Sequence, residues 1–161
     1  MKGDPKIIDV LNGALALELS AVNQYFLQAK MCQNWGFKAL ANHHYHESID
    51  EMKHAEKLIE RILFLEGTPN VSKYNPIRVG GSVKEQLEND LVLETEAVKA
   101  YNEGIETCLK AKESGTREIF EKLLDGSEEA VDWLETQLHL IQQLGLENYL
   151  SEQLGASTAA T

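Results

Sequence analysis

Tyr45-His46-Glu47-Ser48-Ile49-Asp50-Glu51-Met52-Lys53-His54 is the stretch on which the reading of this chain turns. It continues into Leu58, Ile62 and Leu65, and those apolar residues recur at spacings of three and four, the stripe of a helix that faces a core. Extended backwards, the same stripe runs through His54, Glu51 and Glu47, so polar groups occupy positions where a core side chain would stand. Glu51 and His54 form a Glu-x-x-His pair at i and i+3, which leaves the helix on one face about one turn apart.

Working outward, helical periodicity with almost no glycine or proline predicts four long helices, at 5–35, 38–66, 82–112 and 116–144, and a short fifth at 146–153. Asn34-Trp35-Gly36 marks the first break. Glu66-Gly67-Thr68-Pro69 marks the second and opens a long loop over 67–82 that contains Pro69, Pro76 and Gly80-Gly81. Ser82 is placed to cap the third helix, with Glu85 completing a capping box. Short connections make neighbouring helices antiparallel, whereas the long crossover lets the second pair return alongside the first. The fold class is therefore all-α, a four-helix bundle, as one domain over 1–161 in which residues 154–161 are expected to fray.

The other inward seams repeat the anomaly. The first helix gives Leu11, Leu15, Glu18, Val22 and Tyr25, and the third gives Leu87, Leu91, Glu94, Val98 and Tyr101. A buried carboxylate must be neutralised, paired or given a metal, and Glu18, Glu51, His54 and Glu94 together suggest a metal. Carboxylate oxygens with an imidazole suit iron or manganese. For Glu18 or Glu94 alone, an edge position reaching solvent is an equal alternative. The fourth seam, Phe120, Leu123, Ser127, Ala130, Leu134 and Ile141, offers no Glu-x-x-His. Glu128 and Glu129 read as a solvated face, and His139 lies too far along the helix to join the layer.

Composition bounds the function. The 161 residues carry 15 basic and 26 acidic side chains, a net charge of −11, which argues against a nucleic-acid partner and fits a cation better. No apolar run approaches the roughly 20 residues needed to span a bilayer, so no membrane partner is expected. Met1-Lys2-Gly3-Asp4-Pro5 lacks the pattern of a signal peptide, and a cytoplasmic location is the expectation. Cys32 and Cys108, standing alone, read as reduced, packed thiols.

The sequence resembles the bacterioferritins, a haem-binding branch of the ferritin-like proteins, over essentially its whole length. The matching stretches are Met1-Lys2-Gly3-Asp4, Asn23-Gln24-Tyr25-Phe26, Tyr45 to His54, Arg61-Ile62-Leu63-Phe64-Leu65-Glu66-Gly67 and Asp132-Trp133-Leu134-Glu135. The resemblance implies a cytoplasmic shell of twenty-four subunits that stores ferric mineral, with b-type haem between two-fold-related subunits. It implies that Met52 is an axial haem ligand, although the residues alone read Met52 more simply as core filling. It also implies a ferroxidase centre at Glu18, Glu51, His54 and Glu94, together with a Glu and a His on the fourth helix. Those two positions are Ser127 and Ala130 here. Residues matching His46 and Asp50 look into the cavity in this family, which makes them possible secondary iron ligands, with surface exposure as the alternative. His43 and His44 receive no role.

Two functions follow as expectations. The first is a haem-carrying iron storage and release subunit with a degraded di-iron site. Its partners would be a second, ferroxidase-competent bacterioferritin subunit and a ferredoxin-type reductant. The alternative is an active ferroxidase that oxidises Fe(II) with O2. A DNA-protecting mini-ferritin fits poorly, because the chain has a candidate fifth helix, an intra-bundle site and no basic tail.

Overall fold

The computed structural model describes residues 1–155, so the tail expected to fray lies almost wholly outside the described residues. Helix α1 spans Pro5–Trp35, α2 Lys38–Phe64, α3 Val83–Lys110, α4 Ser114–Leu144 and α5 Leu146–Ser151. Among the described residues there is no strand. The chain is therefore all-helical, a four-helix bundle with a short fifth helix.

Local chemistry explains the boundaries. Asp4 caps α1, its side chain accepting from Lys6 N at 2.9 Å, and Pro5 sits in the first turn, where a missing N–H costs nothing. Gly36 then turns the chain at φ +90°, a conformation that penalises any residue with a Cβ. Ser82 Oγ accepts from Glu85 N at 3.3 Å, while the Glu85 carboxylate reaches back to Gly81 N at 2.7 Å, one residue before the box position. Helix α2 ends at Phe64 rather than 66, because Glu66 adopts φ +61°. Helix α4 starts at Ser114, two residues before the predicted 116, because Glu113 takes the capping role and accepts from Thr116 N.

Helices α1 and α2 pack as one hairpin and α3 and α4 as another, with α1 also lying against α3. The crossover between the hairpins is stitched along α1. Asn12 Nδ2 donates to Thr68 O at 3.1 Å, Asn75 N to Ser20 Oγ at 2.7 Å, and Arg78 N to Gln24 Oε1 at 3.1 Å. These bonds satisfy loop backbone that would otherwise lie unpaired against the bundle. At one end of the bundle, Arg61 on α2 pairs with Glu113 and donates from Nε to Thr116 Oγ1 at 3.0 Å, tying α2 to the start of α4.

The apolar interior is divided. One cluster, around Leu11, Leu15, Leu58, Ile62, Tyr101 and Phe120, fills the end that holds the start of α1. A second, around Cys32, Leu40, Leu87, Leu134, Ile141 and Tyr149, fills the other and is closed by α5, whose Tyr149 hydroxyl donates to Gln137 Oε1 at 2.8 Å. Between them lie polar layers. Both thiols are free and buried, Cys32 pushed up to about 12 by burial and the charge of Asp90, and Cys108 to about 11 by burial and Glu113.

Gly104 of α3 gives a direct measure of how tightly the hairpin α3–α4 packs. A Cβ there would lie 2.9 Å from ring carbons of Phe120 on α4. Gly104→Ala should therefore destabilise the protein by about 1–3 kcal/mol through overpacking, despite the better helix propensity of alanine. Thermal denaturation of the variant checks this, and an unchanged or raised midpoint would show that the hairpin is looser than described.

Candidate metal centre

The polar layer is built by one residue or pair from each helix. α1 contributes Glu18, α2 contributes Glu51 and His54, α3 contributes Glu94 and α4 contributes Ser127. Glu18, Glu94, Glu51 and Ser127 are all buried, at 2%, 3%, 7% and 7% exposure.

Glu18, Glu51 and His54 converge. One ligand atom from each lies within 4.8 Å of the other two, a grouping that can hold a metal ion. His54 Nδ1 faces both partners, 3.2 Å from Glu51 Oε2 and 3.4 Å from Glu18 Oε2. Glu94 stands apart from that trio and is held by Tyr25, whose hydroxyl donates to Glu94 Oε1 at 2.5 Å. Tyr101 does the same for Glu18. The two bonds are reciprocal: a tyrosine on α1 holds a carboxylate on α3, and a tyrosine on α3 holds one on α1. Each uses an aromatic body to fill the core and a hydroxyl to satisfy a charge.

Electrostatics follow from crowding. Burial and the charge of Glu18 push the Glu51 carboxyl well above the usual carboxylate range. Burial and then Glu51 push Glu94 up to about 8, against the opposing hydrogen bonds of Tyr25 and Ser127. Burial pulls His54 down, but hydrogen bonds to Glu18 and Glu51 and their charges prevail and lift it to about 10. Without a cation the cluster thus holds protons in place of a metal.

The fourth side is open. Ser127 and Ala130 carry no metal-ligating carboxylate or imidazole, and Ala130 and Gly126 border a cleft of about 540 Å³ lined also by Glu47, Glu51, His54, Glu129 and Trp133. Glu128 and Glu129 are exposed, and His139 is exposed far along α4. His46 and Asp50 are exposed on α2, and Met52 is 51% exposed on the same helix, not packed in the core.

Four buried polar residues with no role assigned from sequence, Gln24, Gln28, His44 and Asp90, lie close together. Asp90 on α3 accepts through Oδ1 from Gln24 Nε2 at 2.8 Å and Gln28 Nε2 at 2.7 Å, and His44 on α2 stacks on the Tyr25 ring at 6.1 Å. His44 lies seven residues before Glu51, on the same seam, and that spacing was the available signal. Its neighbour His43 stacks flat on Trp133 at 3.6 Å.

These shifts fix the pH dependence of the metal-free protein. Burial with neighbouring charges raises Glu47 and Asp90 to about 7 and Glu94 to about 8, so the folded chain keeps protons that the unfolded chain has lost above the ordinary carboxyl range. Stability from these groups is lost as pH rises through 7–8, and from His54 as it rises towards 10. His43 and His44, pushed down by burial to about 4 and 3, work in the opposite sense but only below their unfolded value near 6.5. Between pH 6.5 and 8.5 the thermal midpoint of chelator-treated protein should therefore fall by several degrees, and Glu94→Gln should flatten the slope. A midpoint that rises over this interval would contradict the buried protonated layer.

Comparison with known proteins agrees with this architecture. The ferritin-like domain family matches residues 8–144. A bacterioferritin of Brucella melitensis is 47% identical over 99% of this chain and 98% of its own length. Bacterioferritins of Mycolicibacterium paratuberculosis and Rhodobacter capsulatus are 43% and 44% identical, covering 94% and 92% of this chain and 96% and 92% of their own. With a helix bundle that centres on Glu18, Glu51 and His54, and near-full-length identity of this order, the chain belongs to the bacterioferritin family of ferritin-like proteins.

Proposed function

We propose that this chain is a haem-binding iron storage and release subunit with a degraded di-iron site, working in a shell of twenty-four subunits in the cytoplasm beside a second, ferroxidase-competent bacterioferritin subunit. The observation that carries the reading is the fourth side of the centre, where Ala130 borders a cleft and the buried Ser127 offers only a hydroxyl, so that neither closes a coordination sphere. One Fe(II) would take Glu18, His54 and a bridging Glu51, the trio already converged. A second would find only Glu94 and the bridge.

The chemistry then limits the rate. Oxidation of two Fe(II) by one O2, with two protons, gives two Fe(III) and hydrogen peroxide. The two electrons leave together only if both ions sit side by side, which needs ligands for each. A single well-held ion releases one electron at a time. His46 and Asp50, exposed on α2, are suited to bind iron passing to the mineral as secondary ligands. The alternative, an active ferroxidase, draws support from Glu47 and Glu129, whose carboxylates border the same cleft.

The haem proposal rests on exposure. Met52 stands 51% exposed, and Phe26 at 47% and Tyr45 at 43% are exposed as well, their rings 6.5 Å apart. Apolar side chains held out of the core in this way suit burial against a second copy and a flat apolar group. One Met52 thioether from each of two subunits would hold b-type haem, which would supply an electron-transfer group of raised potential for reducing stored ferric iron. A ferredoxin-type protein is the proposed donor.

Two experiments follow. Met52→Leu, which keeps volume and removes only the sulfur, should abolish the haem absorption spectrum while the shell still assembles. A mutant shell that keeps its haem would refute the ligand assignment. Ser127→Glu with Ala130→His should speed Fe(II) oxidation by the homogeneous protein by at least about tenfold, the equivalent of roughly 1.4 kcal/mol in barrier. A parent that already oxidises as fast as this variant, with two irons bound per subunit, would favour the active ferroxidase.

A further inference from the structure

Six buried polar atoms have no hydrogen-bond partner among the described residues, and four of them belong to three residues that meet at Asp90. They are Gln28 Oε1, both ring nitrogens of His44 and Asp90 Oδ2. Their residues are as deeply buried as any in the chain, at 1%, 1% and 0% exposure. This group is separate from the carboxylate centre. It lies one turn before Glu94 on α3 and two turns before Glu51 on α2, with the Tyr25 ring against His44.

Leaving one such atom unpaired costs about 1–3 kcal/mol, and a single ion held by Gln28 Oε1, Asp90 Oδ2 and one His44 ring nitrogen would satisfy three of the four. The geometry restricts what it is. His44 Nδ1 and Asp90 Oδ2 are 3.8 Å apart, too far for a hydrogen bond of roughly 2.7–3.2 Å. The gap matches two ligand atoms flanking a common ion, each at about 2.0–2.2 Å. Asp90 is also aimed. Its Oδ1 is clamped by the amide N–H groups of Gln24 and Gln28, which leaves Oδ2 directed at the imidazole and turns the carbonyl oxygen of Gln28 free. A carboxylate oriented by donors on its far oxygen is how metal ligands are commonly fixed.

We infer that Gln28, His44 and Asp90 form a second, fully enclosed site for one divalent transition-metal ion, distinct from the centre at Glu18, Glu51 and His54. One imidazole nitrogen, one carboxylate oxygen and one amide oxygen make a mixed donor set of the kind that takes Fe(II), Co(II) or Zn(II), and the ion removes the cost of an isolated carboxylate in the core. This inference does not depend on the degraded di-iron reading, because neither Ser127 nor Ala130 takes part.

Co(II) is the probe, for its visible spectrum reports imidazole and oxygen coordination. The full-length protein carrying Glu51→Gln and His54→Leu, which disable the other centre, is stripped with chelator and loaded with Co(II), both after folding and during synthesis in cobalt-supplemented medium. One tightly held Co(II) per subunit is expected, lost when the near-isosteric Asp90→Asn is added. Equal binding with and without Asp90→Asn, or none in either, overturns the site. Unmutated crystals loaded with Co(II) give an independent check that needs no variant to fold. An anomalous peak between His44 Nδ1 and Asp90 Oδ2 is expected, and an ordered water or empty density there overturns the inference. Neither readout uses the rate of Fe(II) oxidation, so the result stands apart from the fate of the storage proposal.

Discussion

The rest of the structure depends on one constraint: three carboxylates sit in the middle of a helix bundle, where none can be left alone. Glu18 is met by Tyr101 and His54, Glu51 by His54, and Glu94 by Tyr25. Every one of those contacts but Glu51–His54 joins two helices, so satisfying the charges also sets the axial register of α1 against α2 and α3. A slip of one turn on any helix would strand a carboxylate and a tyrosine hydroxyl together, a penalty far above that of misplacing a leucine. Register that apolar packing would leave soft is thereby made strict. The apolar core is accordingly split into two large clusters, with the polar layers and a small cluster of Ala21, Tyr25 and Leu93 between them.

Much of this was legible in the amino-acid order, because helix period and core burial are both local signals. The five helices fall within two residues of their predicted starts and ends, and Glu18, Glu51 and Glu94 do lie on inward seams. The departures are equally physical. Glu113 caps α4 through Thr116, and a glutamate in that role carries no sequence signature as strong as a serine would. The tyrosine–carboxylate bonds depend on helix rotation and axial offset, which a one-dimensional stripe does not encode. His44 and Asp90 lay on the correct faces, but a histidine beside another histidine and an aspartate in an acidic helix look like surface. Only the packing of α1 against them reveals that both are enclosed.

The fourth helix is where this chain parts from the pattern that its resemblance implies. Small side chains at 126 and 130 leave space without collapsing the bundle, since Phe120, Leu123 and Leu134 keep α4 seated on either side. Ser127 is not inert in that position. Buried beside Glu94 in the bundle interior, it offsets part of the upward push that burial gives that carboxyl. Reactivity at such a centre is separable from the scaffold that carries it, and removing buried ionisable ligands generally relieves a folding cost.

The two hairpins are also unequal in what they carry. Glu18, Glu51 and His54 all belong to α1 and α2, whereas α3 and α4 contribute the tyrosine that braces Glu18 and the walls that exclude water. During synthesis the first hairpin leaves the ribosome before α3 exists. A nascent chain at that stage already owns the entire ligand trio, yet it lies open to solvent and unbraced, so any ion it meets is held weakly and exchanged freely. Docking of the second hairpin completes the burial of Glu18 and brings the Tyr101 brace, while His54 stays partly exposed at the cleft. The 67–82 crossover, bonded to α1 at Asn12, Ser20 and Gln24, is therefore the segment that carries the second hairpin onto the trio.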